Sequence, residues 1–366
     1  MLFRSLLALG SIGLFQGLEK IGLLFPKVWK KYPPSFSIPL LRDKSLEKLD
    51  RRRDIGTMPR MKTTPFAVRL TRRAALLVLG SLALALRLVA VAAESVTLAV
   101  TGDIYTPDVK VVSDAILAQQ PLDAVLLVGD TCNGKTTPLE KYKETLDGTY
   151  DRFRKLIFPC PGNHDALSKP AFSAYQTYWG ERAHAPEMYY SFDLGGWHIV
   201  SLDSVNFRDA QGSDKQLAWL KKDLAANKKK PVIAYWHYPY FSRAKHCGDA
   251  KMKPLWQALE AHGPALVFCG HNHVYERFPA LDAEGQPADA AKGVTEFVIG
   301  PGGASPTKEE KDDAKGPASA FFHGGAQHVG FFTLKPDGSY AFTIKSVAKD
   351  GTTAVVESGK GQLQPK

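Results

Sequence analysis

From Ser95 onward, short apolar runs alternate with stretches in which apolar residues recur at helical spacing. Val96–Val100 (VTLAV), Ala124–Val128 (AVLLV), Leu156–Phe158, Val232–Trp236 (VIAYW) and Ala265–Cys269 (ALVFC) are continuous runs of strand length. Runs of this kind predict buried strands. Trp197–Leu202 and Tyr189–Phe192 predict two more. Val109, Val112 and Ile116 share one helical face after a turn at Pro107. Leu217, Leu220 and Leu224 share another, with Ser213 as the expected N-cap. Further on, Phe297–Ile299 predicts strand before a glycine-rich turn, PGGA, and Pro336-Asp337-Gly338 marks a hairpin. Ser305–Ser319 is charged and turn-rich and reads as a surface loop. Strands alternating with helices imply a layered α/β fold.

The polar residues that follow five of these runs carry the chemistry. VTLAV leads into TGD, which places Asp103, and AVLLV leads into GD, which places Asp130. LIFPCP leads into GNHD, which places Asn163, His164 and Asp165. VIAYW is followed by His237, and ALVFC by GHNH, with His271 and His273. In open α/β sheets, ligands bind just past the C-terminal ends of the strands. Two carboxylates, an amide and three imidazoles form a mixed oxygen and nitrogen donor set, suited to zinc, iron or manganese. One carboxylate can bridge two ions, and two ions ~3.5–4 Å apart can clamp a phosphoryl group and activate a water. On this reading Asn163 is a ligand, His164 faces the scissile phosphate and Asp165 orients its imidazole. His184, His198, His262 and His328 lack such a context and read as structural or surface residues.

Charge changes the picture only at the N-terminus. The 366 residues carry a formal net charge of +10, but residues 1–93 hold 17 of the 47 Lys and Arg and 5 of the 37 Asp and Glu. The remainder holds 30 basic and 32 acidic residues, which leaves no footprint for nucleic acid. Arg72-Arg73 precede 13 uncharged residues, Ala74–Leu86, too short for a span of ~20 and suited to a signal peptide. Ala90-Val91-Ala92 offers a cleavage site, and the arginine pair after Thr71 is twin-arginine-like. Residues 58–93 are therefore expected to be a signal peptide and 94–366 a periplasmic or secreted domain, not inserted in the membrane after cleavage. Residues 1–57 precede good start positions at Met58 and Met61. They read as a mis-assigned start, or else as a membrane-associated extension, with no stable fold expected. The four cysteines show no CxxC spacing, and Cys160 and Cys269, in apolar runs, are expected to be inert buried thiols.

The ordered set of an early Asp, GD, GNHD, a His and GHNH resembles the calcineurin-like metallophosphoesterases over about Val96 to Val347. AYWHYPYF around His237 and GHNHVYER from Gly270 to Arg277 are similar to the purple acid phosphatase branch. The resemblance implies a four-layer α/β/β/α sandwich and two metal ions, iron, zinc or manganese. Asp103, the bridging Asp130 and His273 would hold one ion. Asp130, Asn163, His237 and His271 would hold the other. His164 would stabilise or protonate the leaving oxygen with Asp165 behind it, and His246, nine residues after His237, would contact phosphate. The implied reaction is in-line attack by a metal-bound hydroxide on a small phosphate monoester. A diesterase for nucleotides or lipid head groups and a metal-binding protein without turnover are the alternatives. Two positions depart from the pattern. Tyr105 stands where many members have His, and Asn133 stands where the purple branch has Tyr. Tyr105 either supplies a phenolate to the first ion or hydrogen-bonds at the cleft wall.

Overall fold

A computed structural model describes residues 95–210, 212–290, 292–308 and 316–364. The expected signal peptide and the extension before it lie outside the described residues, as do residues 309–315 of the Ser305–Ser319 loop. The elements in chain order begin with β1 (Val96–Thr101), α1 (Val109–Leu117), β2 (Ala124–Val128), α2 (Leu139–Leu146) and β3 (Ile157–Cys160). Then come α3 (Ser173–Trp179), β4 (Tyr190–Leu194), β5 (Trp197–Ser201), α4 (Ser204–Arg208), α5 (Ser213–Ala226) and β6 (Val232–Tyr235). They are followed by α6 (Lys253–His262), β7 (Ala265–Cys269), β8 (Tyr275–Leu281) and β9 (Val294–Ile299). The series closes with β10 (Phe321–His323), β11 (Gln327–Leu334), β12 (Ser339–Val347) and β13 (Thr353–Gln362).

The strands form two sheets, ordered β13-β12-β11-β1-β2-β3 and β10-β8-β9-β7-β6-β5-β4. β1, β2 and β3 run parallel, as do β5, β6, β7 and β9. The apolar runs are continuous because each central strand is covered on both sides. Along β2, Ala124, Leu126 and Val128 join an apolar cluster that takes residues from both sheets, while Val125 and Leu127 join the cluster containing the helices. β7 divides the same way, with Leu266 and Phe268 between the sheets and Val267 and Cys269 on the outside. The outer face of the first sheet is covered by α1, and α6 packs on β9 of the second. The layers are therefore helix, sheet, sheet, helix. Phe268, Phe297 and Phe332 meet between the sheets with ring centroids 4.5–5.8 Å apart, each pair contributing about 0.5–1.5 kcal/mol beyond its buried area. That packing sets the two C-terminal strand edges side by side.

Several boundaries differ from the sequence reading. β3 starts at Ile157, because Leu156 ends a 3-10 turn, Tyr150–Leu156. β4 starts at Tyr190, and β6 stops at Tyr235, before Trp236. Ser213 is the first residue of α5 and not its cap. Gly212 precedes it at φ 70°, a left-handed turn that glycine enters without strain.

His198, on β5, is structural, as expected. It is buried, with Nδ1 3.0 Å from Asp193 Oδ1 and Nε2 2.6 Å from Asp223 Oδ2. Burial opposes the charge on the ring, but the two carboxylates outweigh it and raise its pKa above the ordinary value. A raised histidine stabilises the fold fully below its unfolded pKa of ~6.5, and that contribution is lost as pH rises through the folded pKa. Wild type is thus expected to exceed His198→Gln in urea midpoint at pH 5.5, with the gap narrowing toward pH 9. A gap that does not change with pH would show that the ring is neutral in the folded protein.

Candidate metal centre

The turns after the parallel strands deliver the polar groups with a regular offset. Asp103, Asp130, His237 and His271 each lie two residues beyond the ends of β1, β2, β6 and β7, and Asn163 lies three beyond β3. Three of these strands belong to one sheet and two to the other, so the donors meet where the edges adjoin. Asp103 (φ 56°), Asp130 (φ 47°) and His271 (φ 68°) occupy left-handed backbone, which costs on the order of 1–3 kcal/mol each and gathers at functional sites. Backbone bonds lock the turns together: Asp103 N–H donates to Gly129 O at 3.1 Å and Gly270 N–H to His237 O at 3.1 Å. The glycine before Asp130 is required twice over. Gly129 has φ 86°, and a Cβ there would lie 2.5 Å from His237 Nδ1.

Asp103, Asp130 and His237, all buried, bring one donor atom each within 4.8 Å of one another. Asp130 stands in the middle. Its Oδ2 is 3.4 Å from His237 Nε2 on one side and 3.0 Å from Asn133 Nδ2 on the other, while its Oδ1 accepts the His164 N–H at 2.7 Å. On the Asn133 side, His273 Nε2 is 3.5 Å from Asp103 Oδ1. On the His237 side, His237 Nε2 is 3.0 Å from Asn163 Oδ1, and the His271 ring stands edge-on to His237 with centroids 5.1 Å apart. Of the donors expected from the sequence, Asp103, Asp130, His237, Asn163 and His273 are linked by these contacts, and the His271 ring stands beside His237. Their outer nitrogens are pinned: His237 Nδ1 lies 3.0 Å from Val128 O and His273 Nδ1 2.7 Å from Ser305 O, which leaves each Nε2 facing the centre.

These residues fit a pair of borderline cations. Among the described residues neither Asp103 nor Asp130 meets a lysine or arginine, and buried carboxylates without a permanent cation are costly. Burial would raise the Asp130 pKa, but the His237 charge overrides it and holds the carboxyl down. Burial lowers His237, yet Asp130 lifts it to about 9. His271 is pushed down to about 2, by burial first and then by His237. His271 thus offers a free lone pair at neutral pH, and His237 must release a proton on binding a cation.

His164 is 31 % exposed at the lip of the centre, with Nε2 3.9 Å from Asp130 Oδ2. Its Nδ1 lies 2.6 Å from Gly134 O, so Gly134 and not Asp165 orients the ring. This corrects the role given to Asp165. A 3-10 turn begins at Asp165 and sends that side chain inward while the His164 ring faces the cleft. Asp165 accepts from Thr131 N (3.1 Å), Thr131 Oγ1 (2.9 Å), Cys132 N (3.3 Å), Gly162 N (2.8 Å) and the Tyr142 hydroxyl (2.5 Å). It staples the turn after β2 to the turn after β3. Burial and the Asp130 charge raise its pKa, against the pull of those donors. Asp165→Ala is expected to cost about 2–4 kcal/mol in urea unfolding, through donors left unpaired in the interior, without moving the pH–rate profile. A shifted profile at unchanged stability would restore the orienting role.

His246 is exposed, with its ring centroid 4.9 Å from that of His271 and its N–H on Asn272 Oδ1 at 2.9 Å. Tyr105 lies against the turn after β2. A Cβ on Gly134 would lie 3.3 Å from Tyr105 Cε2, so the ring rests on Gly134, and its hydroxyl makes no hydrogen bond among the described residues. The left-handed turn at Asp103 breaks the strand alternation that would have put both side chains on one face. Asn133, which sequence reasoning treated only as a lost tyrosine, sits inside the centre, and its one sequence signal was its place three residues after Asp130. All four cysteines are free thiols, and burial pushes Cys132 up to about 12 and also raises Cys160 and Cys269.

Residues 96–275 match the family model described as calcineurin-like phosphoesterase. The chain is 30% identical over 230 residues to purple acid phosphatase 21 of Arabidopsis thaliana, covering 56% of this chain and 49% of that one. It is 26% identical over 240 residues to tartrate-resistant acid phosphatase type 5 of Rattus norvegicus, covering 58% and 70%. A solved purple acid phosphatase, PPD1 from yellow lupin (Lupinus luteus) seeds, superposes with a TM-score of 0.57 at 16% identity, covering 74% of this chain and 54% of that one. At that identity the likeness is one of fold. The chain spans about half the length of the Arabidopsis relative.

Proposed function

We propose, because residues 96–275 match the calcineurin-like phosphoesterase family model and purple acid phosphatases are among the relatives, that the chain is a metal-dependent phosphoric ester hydrolase acting on small phosphate monoesters. The observation that carries this reading is Asp130, one buried carboxylate set between two groups of donors, each drawn from both sheets. Two ions, iron, zinc or manganese, supply an activated water and neutralise the phosphate when bound. Asp103, Asp130 and His273 hold one, and Asp130, Asn163, His237 and His271 hold the other. His164 donates its Nδ1–H to Gly134, which confines proton exchange to Nε2, the nitrogen facing the leaving oxygen. His246, exposed beside His271, meets a phosphate oxygen.

The test is a panel of phosphate monoesters and diesters assayed against iron, zinc and manganese after the protein has been stripped of metal. Metal-dependent turnover of monoesters supports the reading. A preference for diesters moves the substrate to nucleotides or lipid head groups, and no turnover with any metal leaves a binding protein. Export belongs to the same reading, supported by Arg72-Arg73 and the apolar run behind them. No helix among the described residues is long and apolar enough to cross a membrane. The N-terminus of exported protein is expected near Ala93 or Glu94, and an intact N-terminus on active cytosolic protein would contradict it.

A further inference from the structure

We infer that Asn133 is a direct ligand of the first ion, taking the coordination position that Tyr105 leaves unfilled. The inference rests on the reading of the centre just given. Its ground is the focus of lone pairs on the Asn133 side-chain amide. Nδ2 lies 3.0 Å from Asp130 Oδ2 and 3.1 Å from His273 Nε2. His273 Nε2 in turn lies 3.5 Å from Asp103 Oδ1. Because His273 Nδ1 is turned to Ser305 O, its Nε2 presents a lone pair to the amide. The amide thus touches one buried carboxylate and that imidazole, and the imidazole stands against a second buried carboxylate.

The spacings suit a cation. Donors about 2.0–2.2 Å from a tetrahedral centre stand ~3.4 Å from one another, and the three contacts that link these four groups, at 3.0–3.5 Å, are of that size. An asparagine amide has an oxygen and a nitrogen of nearly equal size, exchanged by a half-turn about its last bond. With no cation the NH₂ answers the lone pairs; facing a cation, the oxygen does. The backbone holds Asn133 at this distance, with its N–H on Ile104 O at 2.8 Å. An amide is a neutral oxygen donor, so the first site lacks a phenolate and favours a divalent ion over a ferric one. Tyr105, with its ring on Gly134, stays out of the coordination.

Equilibrium dialysis of the full chain against graded free Mn²⁺ and Zn²⁺, read as bound equivalents, tests this together with visible spectra after iron loading. Wild type is expected to bind two equivalents and to show no phenolate band. Asn133→Ala is expected to weaken one equivalent by roughly 10–100-fold and spare the other, and Tyr105→Phe to leave both unchanged. Asn133→Asp separates a ligand from a mere hydrogen-bond donor to Asp130. A ligand replaced by a carboxylate keeps or tightens the first equivalent, whereas a donor replaced by one repels Asp130 and loses it. Two unweakened equivalents in Asn133→Ala, a loss in Asn133→Asp, or a visible band removed by Tyr105→Phe would overturn the inference. A wild type that binds fewer than two equivalents would instead overturn the two-metal reading on which it rests.

Discussion

Asp130→Asn is expected to lower kcat/KM by at least about 10³-fold, roughly 4 kcal/mol of transition-state stabilisation, and to release both ions together. The substitution is chosen for the backbone. Asp130 sits at φ 47°, where asparagine is tolerated and alanine is strained, so the turn keeps its shape and only the charge is removed. The carboxylate that faces both donor groups is then gone. His237 loses the main charge that lifts it to about 9, only Asp103 and the Val128 carbonyl still oppose burial, and its pKa falls. Metal analysis after dialysis, alongside activity, checks the outcome. Retention of one full equivalent would mean that Asp130 serves a single ion.

His164→Ala is expected to lose ~10²–10⁴-fold in rate on esters with poor leaving groups, much less on activated aryl esters, and to keep both ions. Two distances set the contrast. The ring Nε2 is 3.9 Å from Asp130 Oδ2, beyond a shared bond, whereas the tie between the two residues runs from the His164 backbone N–H to Asp130 Oδ1 at 2.7 Å. Alanine keeps that N–H. A plot of log kcat against leaving-group pKa should steepen in the variant. Loss of metal in proportion to activity would make His164 a ligand instead.

The α/β layering and the five donor-bearing turns were readable because the sequence repeats one unit, an apolar run with a polar group just past its end. Burial on both faces makes the central strands uninterrupted, and β2 and β7 carry the expected limits to the residue. What escaped depends on directions that spacing does not encode. The left-handed turn at Asp103 sends Tyr105 to Gly134, and the turn at Asp165 separates that carboxylate from the imidazole beside it in sequence. The Asn133 amide reaches His273, 140 residues away, through the folding of both sheets, and no local pattern announces such a contact. Gly212 displaced Ser213 as the cap because the chain had to reverse, a need set by α4 and α5 meeting and not by helix propensity.

The docking of the two sheets has a kinetic consequence. Val128 and His237, on opposite sheets, touch at 3.0 Å across 109 residues of chain. Closing so long a loop carries an entropic cost, and ions gripped from both sides would hold it closed as a cross-link does. With four free thiols and no covalent tie between the sheets among the described residues, the proposed ions would be the rivets. At a thousand times its Kd, each would add about 4 kcal/mol to the folded state. Neither would leave easily while the two edges stay together. The rate at which a chelator strips the protein therefore becomes a clock for the parting of the sheets, and a substitution deep in the phenylalanine layer, at Phe268 or Phe332, should speed that clock without touching a single donor.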